Sequence, residues 1–113
     1  MYWEKELEEI ERKNLAALQV KRLNNTLRQA VTAPHYRKQV AFSRAAANGL
    51  KSIDAIRELP FTTKEDLRSD YPWGFLAADK RDVVRLHSSS GTTGNPTVIY
   101  HNRHDLASWA NLM

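Results

Sequence analysis

The strongest constraint on how this chain folds is an absence: from Trp3 to Val31, about a quarter of the 113 residues, there is neither glycine nor proline. Leu, Ala, Glu, Lys and Arg fill most of that stretch, and all are good helix formers. The sequence therefore predicts one long helix from Trp3 to Val31. Its carboxylates come early (Glu4, Glu6, Glu8, Glu9, Glu11) and its cations later (Arg12, Lys13, Lys21, Arg22, Arg28), an order that complements the helix dipole. At ~100° per residue, Leu7, Ile10, Leu15 and Leu18 fall on one side, while Val20, Leu23, Leu27, Ala30 and Val31 fall on another. A helix whose halves bury different faces meets two partners, so its far half is expected to pack on something outside these residues.

Punctuation divides the rest. Ala33-Pro34 ends the first helix, because the residue before proline avoids the α region and Pro34 suits the first position of the next. A second helix is expected from Pro34 to Asn48, with Tyr36, Val40 and Phe42 inward and Gly49 terminating it. Ser52 is placed to cap a short turn carrying Ile53 and Ile56. Thr62 and Glu65 have capping-box spacing, which predicts a helix of two to three turns that Tyr71-Pro72 stops. Trp73, Phe75 and Leu76 then form an apolar connection. Near the end, Asn102 and Asp105 again read as a cap, followed by Leu106, Trp109, Ala110 and Met113 at helical spacing. That helix stops within its own pattern, so the chain is expected to be an N-terminal piece of something longer. There are no internal repeats.

Two β-rich runs break the helical pattern: Val83, Val84 and Leu86, then Val98, Ile99 and Tyr100. Between them lies Ser88-Ser89-Ser90-Gly91-Thr92-Thr93-Gly94-Asn95-Pro96-Thr97, with six hydroxyl side chains and two glycines. Glycine lets the backbone turn its N–H groups inward and leaves room for a ligand to approach. With the hydroxyls, those donors suit phosphate oxygens. The same residue types also build ordinary turns, although a simple hairpin needs only ~2–5 loop residues. The loop is not of the G-x-x-x-x-G-K-[ST] kind, because Gly91 and Gly94 are too close together and no lysine follows. Residue types alone leave both readings open.

Ser89-Ser90-Gly91-Thr92-Thr93-Gly94-Asn95-Pro96-Thr97 resembles the nucleotide-phosphate loop of the adenylate-forming superfamily of acyl-CoA synthetases, luciferases and peptide-synthetase adenylation domains. Most members carry lysine where this chain has Thr97. That threonine, Leu59-Pro60-Phe61-Thr62-Thr63-Lys64-Glu65-Asp66-Leu67-Arg68 and Tyr71-Pro72 are similar to the phenylacetate-CoA ligase branch. The resemblance implies a mostly α chain with a short β-hairpin, the N-terminal piece of an α/β enzyme. Residues 1–80 would be its helical region, and 81–113 the strand, loop, strand and helix that begin the adenylate-forming core. It further implies that Ser89, Ser90, Gly91, Thr92, Thr93 and Gly94 bind ATP phosphates. In the full enzyme an aryl acid, ATP and Mg²⁺ would give an acyl-adenylate, whose acyl group passes to coenzyme A. No catalytic residue is implied among these 113, since the acyl pocket, the Mg²⁺-binding acid, the ribose-binding aspartate and the C-terminal lysine lie later in such enzymes. These residues alone are expected to be inactive.

Charge suggests a rival. From Arg12 to Lys51 there are nine Lys and Arg and no Asp or Glu, against a net charge of +4 for the whole chain. A stretch of this kind can bind nucleic acid or another anionic partner, so residues 12–51 also read as a helical interaction module without catalysis. The cations are spread around the first helix, however, and only Tyr36 and Phe42 are interleaved for base stacking. A solvated face is the better reading. With 42% hydrophobic and 27% charged residues the composition is that of a foldable chain. The lack of cysteine excludes disulfides and thiolate metal sites, and His35, His87, His101 and His104 lack zinc-site spacing. No apolar run approaches the ~20 residues of a membrane span, and the acidic start is unlike a presequence, so a cytoplasmic protein is expected. Exposed apolar faces on the first and last helices would favour a homodimer.

Overall fold

The computed structural model describes residues 1–90 and 96–113. Among these residues, six helices and one antiparallel hairpin run in the order α1 (Lys5–Glu8), α2 (Arg12–Ala30), α3 (Pro34–Arg37), α4 (Val40–Asn48), α5 (Lys64–Ser69), β1 (Arg85–Ser88), β2 (Val98–His101) and α6 (Arg103–Leu112). Two 3-10 turns, Ile53–Glu58 and Lys80–Asp82, link α4 to α5 and α5 to β1.

The single helix expected from Trp3 to Val31 is two. Glu8 folds back and its carboxylate accepts the backbone N–H groups of Trp3 (2.7 Å) and Glu4 (2.8 Å), which caps the start of a one-turn α1. Glu11 then takes an extended conformation and α2 starts afresh. Five crowded carboxylates make this acceptor chemistry available where helix propensity alone does not register it.

A second correction falls on Pro34–Asn48. Gln39 is extended (φ −95°, ψ 113°), so the chain forms α3 and α4 in place of one helix. The restart shifts the helical phase of every residue in α4. Val40, expected inward, is 71% exposed at the first position of α4, while Phe42 is buried as expected and Ala45 with it. Pro34 opens α3 and Gly49 ends α4 as expected. Gly49 has φ +73°, a conformation that side-chain-bearing residues rarely adopt.

Leu27, Phe42 and Ala45 form the hydrophobic centre, with Leu23, Val31, Tyr36, Ala46, Leu50 and Leu59 packed around it. Leu27 lies on the second of the two stripes expected on the first helix, and that half of α2 does find a partner within the chain, namely α4. Asn24 secures the same junction: its amide donates to the Leu50 carbonyl (2.9 Å) and accepts the Leu50 N–H (2.7 Å). A polar residue in mid-helix thereby satisfies both backbone groups of a residue just past the glycine that ends α4.

The capping box of α5 sits one residue later than expected. Thr63 and Asp66 form it, and the helix they start has six residues. Thr62 instead shares a hydrogen bond with the Tyr36 hydroxyl (3.0 Å). Both Thr-x-x-acid frames exist in the sequence, and this contact with α3 takes Thr62 out of the choice. Ser52 precedes the first 3-10 turn but makes no side-chain cap bond. At α6, Asn102 and Asp105 form the expected box.

Candidate nucleotide-phosphate site

β1 and β2 pair in the register Arg85 with His101, Leu86 with Tyr100, His87 with Ile99 and Ser88 with Val98. Beyond the last pair the ladder continues into the loop. The Ser89 N–H donates to the Thr97 carbonyl (3.0 Å), and the Thr97 N–H donates to Ser89 Oγ (3.1 Å). These two bonds close the neck of the Ser/Thr/Gly loop. Ser90 and Pro96, just inside the neck, are exposed. Thr97 Oγ1 is buried and has no hydrogen-bond partner among the described residues. Of the expected phosphate ligands, Ser89 and Ser90 are therefore placed side by side at the loop mouth. Gly91, Thr92, Thr93 and Gly94 lie outside the described residues.

Strand alternation puts Ser89, His87, Thr97, Ile99 and His101 on one face of the hairpin. α6 covers part of that face. His87 and His101 lie 4.6 Å apart between ring centroids, and His87 meets the Trp109 ring edge-on at 5.2 Å. His87 is thus a packing residue of the hairpin–α6 junction, and none of its hydrogen bonds reaches the loop backbone among the described residues.

The opposite face carries Tyr100. Trp73 stacks on it (4.8 Å, planes 25° apart), and Lys80 Nζ sits 4.3 Å above the Trp73 ring. Burial, and then the neighbouring Tyr71, raise the Tyr100 phenol above its usual pKa. A hollow of about 360 Å³ opens beside this stack, lined by Gln29, Leu67, Phe75, Leu76, Val98 and Tyr100 among others. Gln29 also reaches from α2 to donate to the Ala77 carbonyl.

One polar cluster has no sequence signal. His35 Nδ1 lies 2.8 Å from the Asp70 carboxylate and His35 Nε2 lies 2.9 Å from the Gln39 amide, while the ring stacks on Phe75 at 4.0 Å. The carboxylate accepts a hydrogen bond from Nδ1–H, which leaves Nε2 to accept from the Gln39 amide. The His35 N–H also donates to the Gly74 carbonyl (2.8 Å). Gly74 is required there, since a Cβ would overlap the Asp70 side chain and carbonyl. His35 and Asp70 stand 35 residues apart, and nothing in either neighbourhood announces the other. The only usable hint is that a histidine one residue inside a helix start, on a chain rich in aromatics nearby, suits packing better than ligation.

The nine cations between Arg12 and Lys51 are all exposed, and none has a carboxylate partner among the described residues. Tyr36 and Phe42, the aromatics of that stretch, pack against each other at 4.6 Å in the helical core. They are engaged there and do not form a stacking platform for bases. No group of three metal-ligating side chains occurs among the described residues, and no helix among them is long and apolar enough to cross a membrane.

Comparison with known proteins shows that the chain is related to coenzyme A ligases. The relatives are phenylacetate-coenzyme A ligases: that of Aromatoleum evansii is 41% identical over 95% of this chain, and that of Pseudomonas putida 42% identical over 84%. The Escherichia coli (strain K12) enzyme is 40% identical over 88% of the chain. The chain spans 24%, 22% and 23% of the length of these three, about a quarter of each. No protein-family model matches the chain. The resemblance read from the loop and from the Leu59–Arg68 block is therefore one of common descent along nearly all of these residues.

Proposed function

We propose that this chain supplies the nucleotide-phosphate loop of an ATP-dependent aryl acid–CoA ligase acting in the cytoplasm, with phenylacetate as the acid. The observation that carries the reading is the Ser89–Thr97 neck: two hydrogen bonds present a Ser/Thr/Gly loop at the end of a hairpin, within a sequence 41% identical to a phenylacetate-CoA ligase. In this reading the six assigned residues divide their work. Ser89 is a positioning residue whose hydroxyl is already an acceptor for the Thr97 N–H. Ser90, Gly91, Thr92, Thr93 and Gly94 offer donors to the phosphates, and the buried Thr97 hydroxyl, without a partner among the described residues, is a further donor at the base of the loop.

The role is electrostatic. Attack of the acid's carboxylate on the α-phosphorus expels pyrophosphate, so negative charge grows on the β and γ groups while the loop holds them. Fixed donors stabilise that charge without reorganising during the reaction. The loop's serines and threonines act as donors and not as nucleophiles in this reading, since His87, the nearest base in sequence, is packed against the His101 and Trp109 rings. Hydroxyl and amide donors fit phosphate oxygens, and residues 88–97 contain no carboxylate to hold a divalent cation. Mg²⁺ would neutralise phosphate charge when bound, held by the phosphates and by residues outside this chain. Coenzyme A would enter as the thiol of the second half-reaction.

The test uses a ligase of full length carrying this loop, with both half-reactions measured. Thr92→Ala and Thr93→Ala are each expected to slow adenylation by ~10²-fold, at the lower end of the cost of losing one such donor. Thiol attack on preformed acyl-adenylate is expected to change far less, since pyrophosphate has already left. Equal losses in both half-reactions would make the loop structural, and an unchanged adenylation rate would remove it from the phosphates.

A further inference from the structure

No two of the four histidines have the i, i+4 spacing of a helical metal site, but the hairpin supplies what spacing does not. Arg85 pairs with His101 and His87 with Ile99, so His87 and His101 are diagonal neighbours on one face of the sheet. Their ring centroids lie 4.6 Å apart, with the planes tilted by 57°. Trp109 of α6 holds both in place, edge-on to His87 at 5.2 Å and stacked on His101 at 6.1 Å. Both histidines are half-buried, and they border one open hollow of about 740 Å³ together with Asp105, Ser108 and Trp109. His35 makes a contrast, since its two ring nitrogens are taken by Asp70 and Gln39. In the hairpin and α6 the side-chain hydrogen bonds run through Ser88, Ser89, Asn102, Asp105 and Asn111. Among the described residues none runs through a ring nitrogen of His87 or His101. Each neutral imidazole therefore keeps one nitrogen lone pair open toward the hollow's water, and paired imidazoles are donors that suit Zn²⁺ and Cu²⁺.

We propose that His87 and His101 chelate a divalent transition ion of this kind, Zn²⁺ or Cu²⁺, at the seam between the hairpin and α6. Metal–nitrogen bonds of about 2.0–2.1 Å need the two ligating nitrogens about 3 Å apart. Small side-chain rotations reach that separation from rings already in contact. Water from the hollow completes the coordination. Asp105 borders the same hollow, but its carboxylate is committed to the Asn102 N–H (2.9 Å) at the start of α6. Arg85, across from His101, is exposed, so solvent weakens its repulsion of the ion. Two protein ligands make a reversible clamp of α6 on the hairpin, unlike a closed structural centre, which takes four. Mg²⁺ prefers oxygen ligands, so this site is independent of what the phosphate loop binds.

Fluorescence titration tests it in a chain carrying Trp3→Phe and Trp73→Phe, where Trp109, in contact with both rings, is the sole tryptophan. Cu²⁺ is expected to quench Trp109 to saturation at one ion per chain, and Zn²⁺ to raise the Tm, while Mg²⁺ does neither. His87→Phe and His101→Phe keep a ring against Trp109 but remove a ligand, and each should weaken Cu²⁺ binding at least ~10-fold, since even the loss of a group that merely supports a ligand costs that much. His104→Ala, at an exposed position of α6 outside the pair, should leave the titration unchanged. Circular dichroism checks that each variant keeps its helix content. Quenching that is unsaturable, or that survives in the chain carrying both phenylalanines, would overturn the proposal. So would a Zn²⁺-induced rise in Tm that persists in that chain, or a loss caused equally by His104→Ala.

Discussion

The helical centre and the hairpin illustrate two ways in which a segment can be held. Around Leu27, Phe42 and Ala45, apolar side chains from α2 and α4 bury one another, and the seams are closed by the Asn24–Leu50 pair and the His35–Asp70 pair. The polar groups of both pairs are satisfied within the chain. At the hairpin, by contrast, Leu86, Ile99 and Val84 are about half exposed, and support comes from the Trp73–Tyr100 stack on one face and α6 on the other. The first region is held by its own burial. The second is a platform whose ladder ends at the Ser89–Thr97 neck, with Ser90 and Pro96 exposed just beyond it.

The comparison breaks most readily at the centre. Leu27→Ala removes the most deeply buried large side chain and is expected to cost about 3 kcal/mol. Thermal melting followed by circular dichroism would read this as a lower Tm. If the regions differ as described, hydrogen exchange at the β1–β2 ladder should rise along with that of α2, because the hairpin has little stability of its own to fall back on. Protection of the ladder that persisted after α2 opened would reverse the assignment of which region supports which.

A smaller effect sharpens the same contrast from the other side. Asn102→Ala removes the side chain that accepts the Asp105 N–H (2.8 Å) and leaves only the bond from the residue-102 backbone N–H to the Asp105 carboxylate (2.9 Å) at the start of α6. The expected cost is about 1 kcal/mol, confined to α6 and the aromatic contacts of Trp109. Trp109 should become more accessible to a fluorescence quencher in a variant that keeps it as the sole tryptophan, while the Leu27 neighbourhood stays unchanged by NMR. Loss of helix in α2 would show that the two regions melt as one.

The smallest effect comes from pH. Asp66 accepts hydrogen bonds from the Thr63 hydroxyl and the Thr63 N–H, and these hold its carboxyl below the ordinary value of 3.8. Because the folded carboxyl gives up its proton more readily than the unfolded one, its contribution is complete above the unfolded value. It is lost as the pH falls through the lower, folded value. Acid should therefore loosen the start of α5, seen as a shift of the Thr63 amide resonance that tracks Asp66 protonation. Asp66→Asn should abolish that titration, and a Thr63 amide that still moved with the same midpoint would place the effect elsewhere.

Several features were legible in the sequence because the signal and the structure are local to each other. Pro34 and Gly49 mark helix ends through their own backbone preferences, and Asn102 with Asp105 forms its box within one turn. The second strand shows in Val98, Ile99 and Tyr100, whereas the valines that marked the first, Val83 and Val84, precede β1, which runs from Arg85 to Ser88 and takes in the first serine of the expected loop. Only the tertiary structure could decide the rest, because each undecided point depended on a group far along the chain or on competition between equal local choices. Thr62 and Thr63 were equivalent caps until the Tyr36 hydroxyl engaged one of them. Val40 was an inward residue until an extended Gln39 changed the phase of α4. His35 had no partner until Asp70 arrived from 35 residues away, and Asn24 none until Leu50 did. At the loop, sequence chemistry named the donors, but it took the pairing across the neck to show that the Ser89 hydroxyl is already occupied by the Thr97 N–H. A side chain's type sets which bonds it can make, and the fold alone sets which partner is within ~3 Å of it.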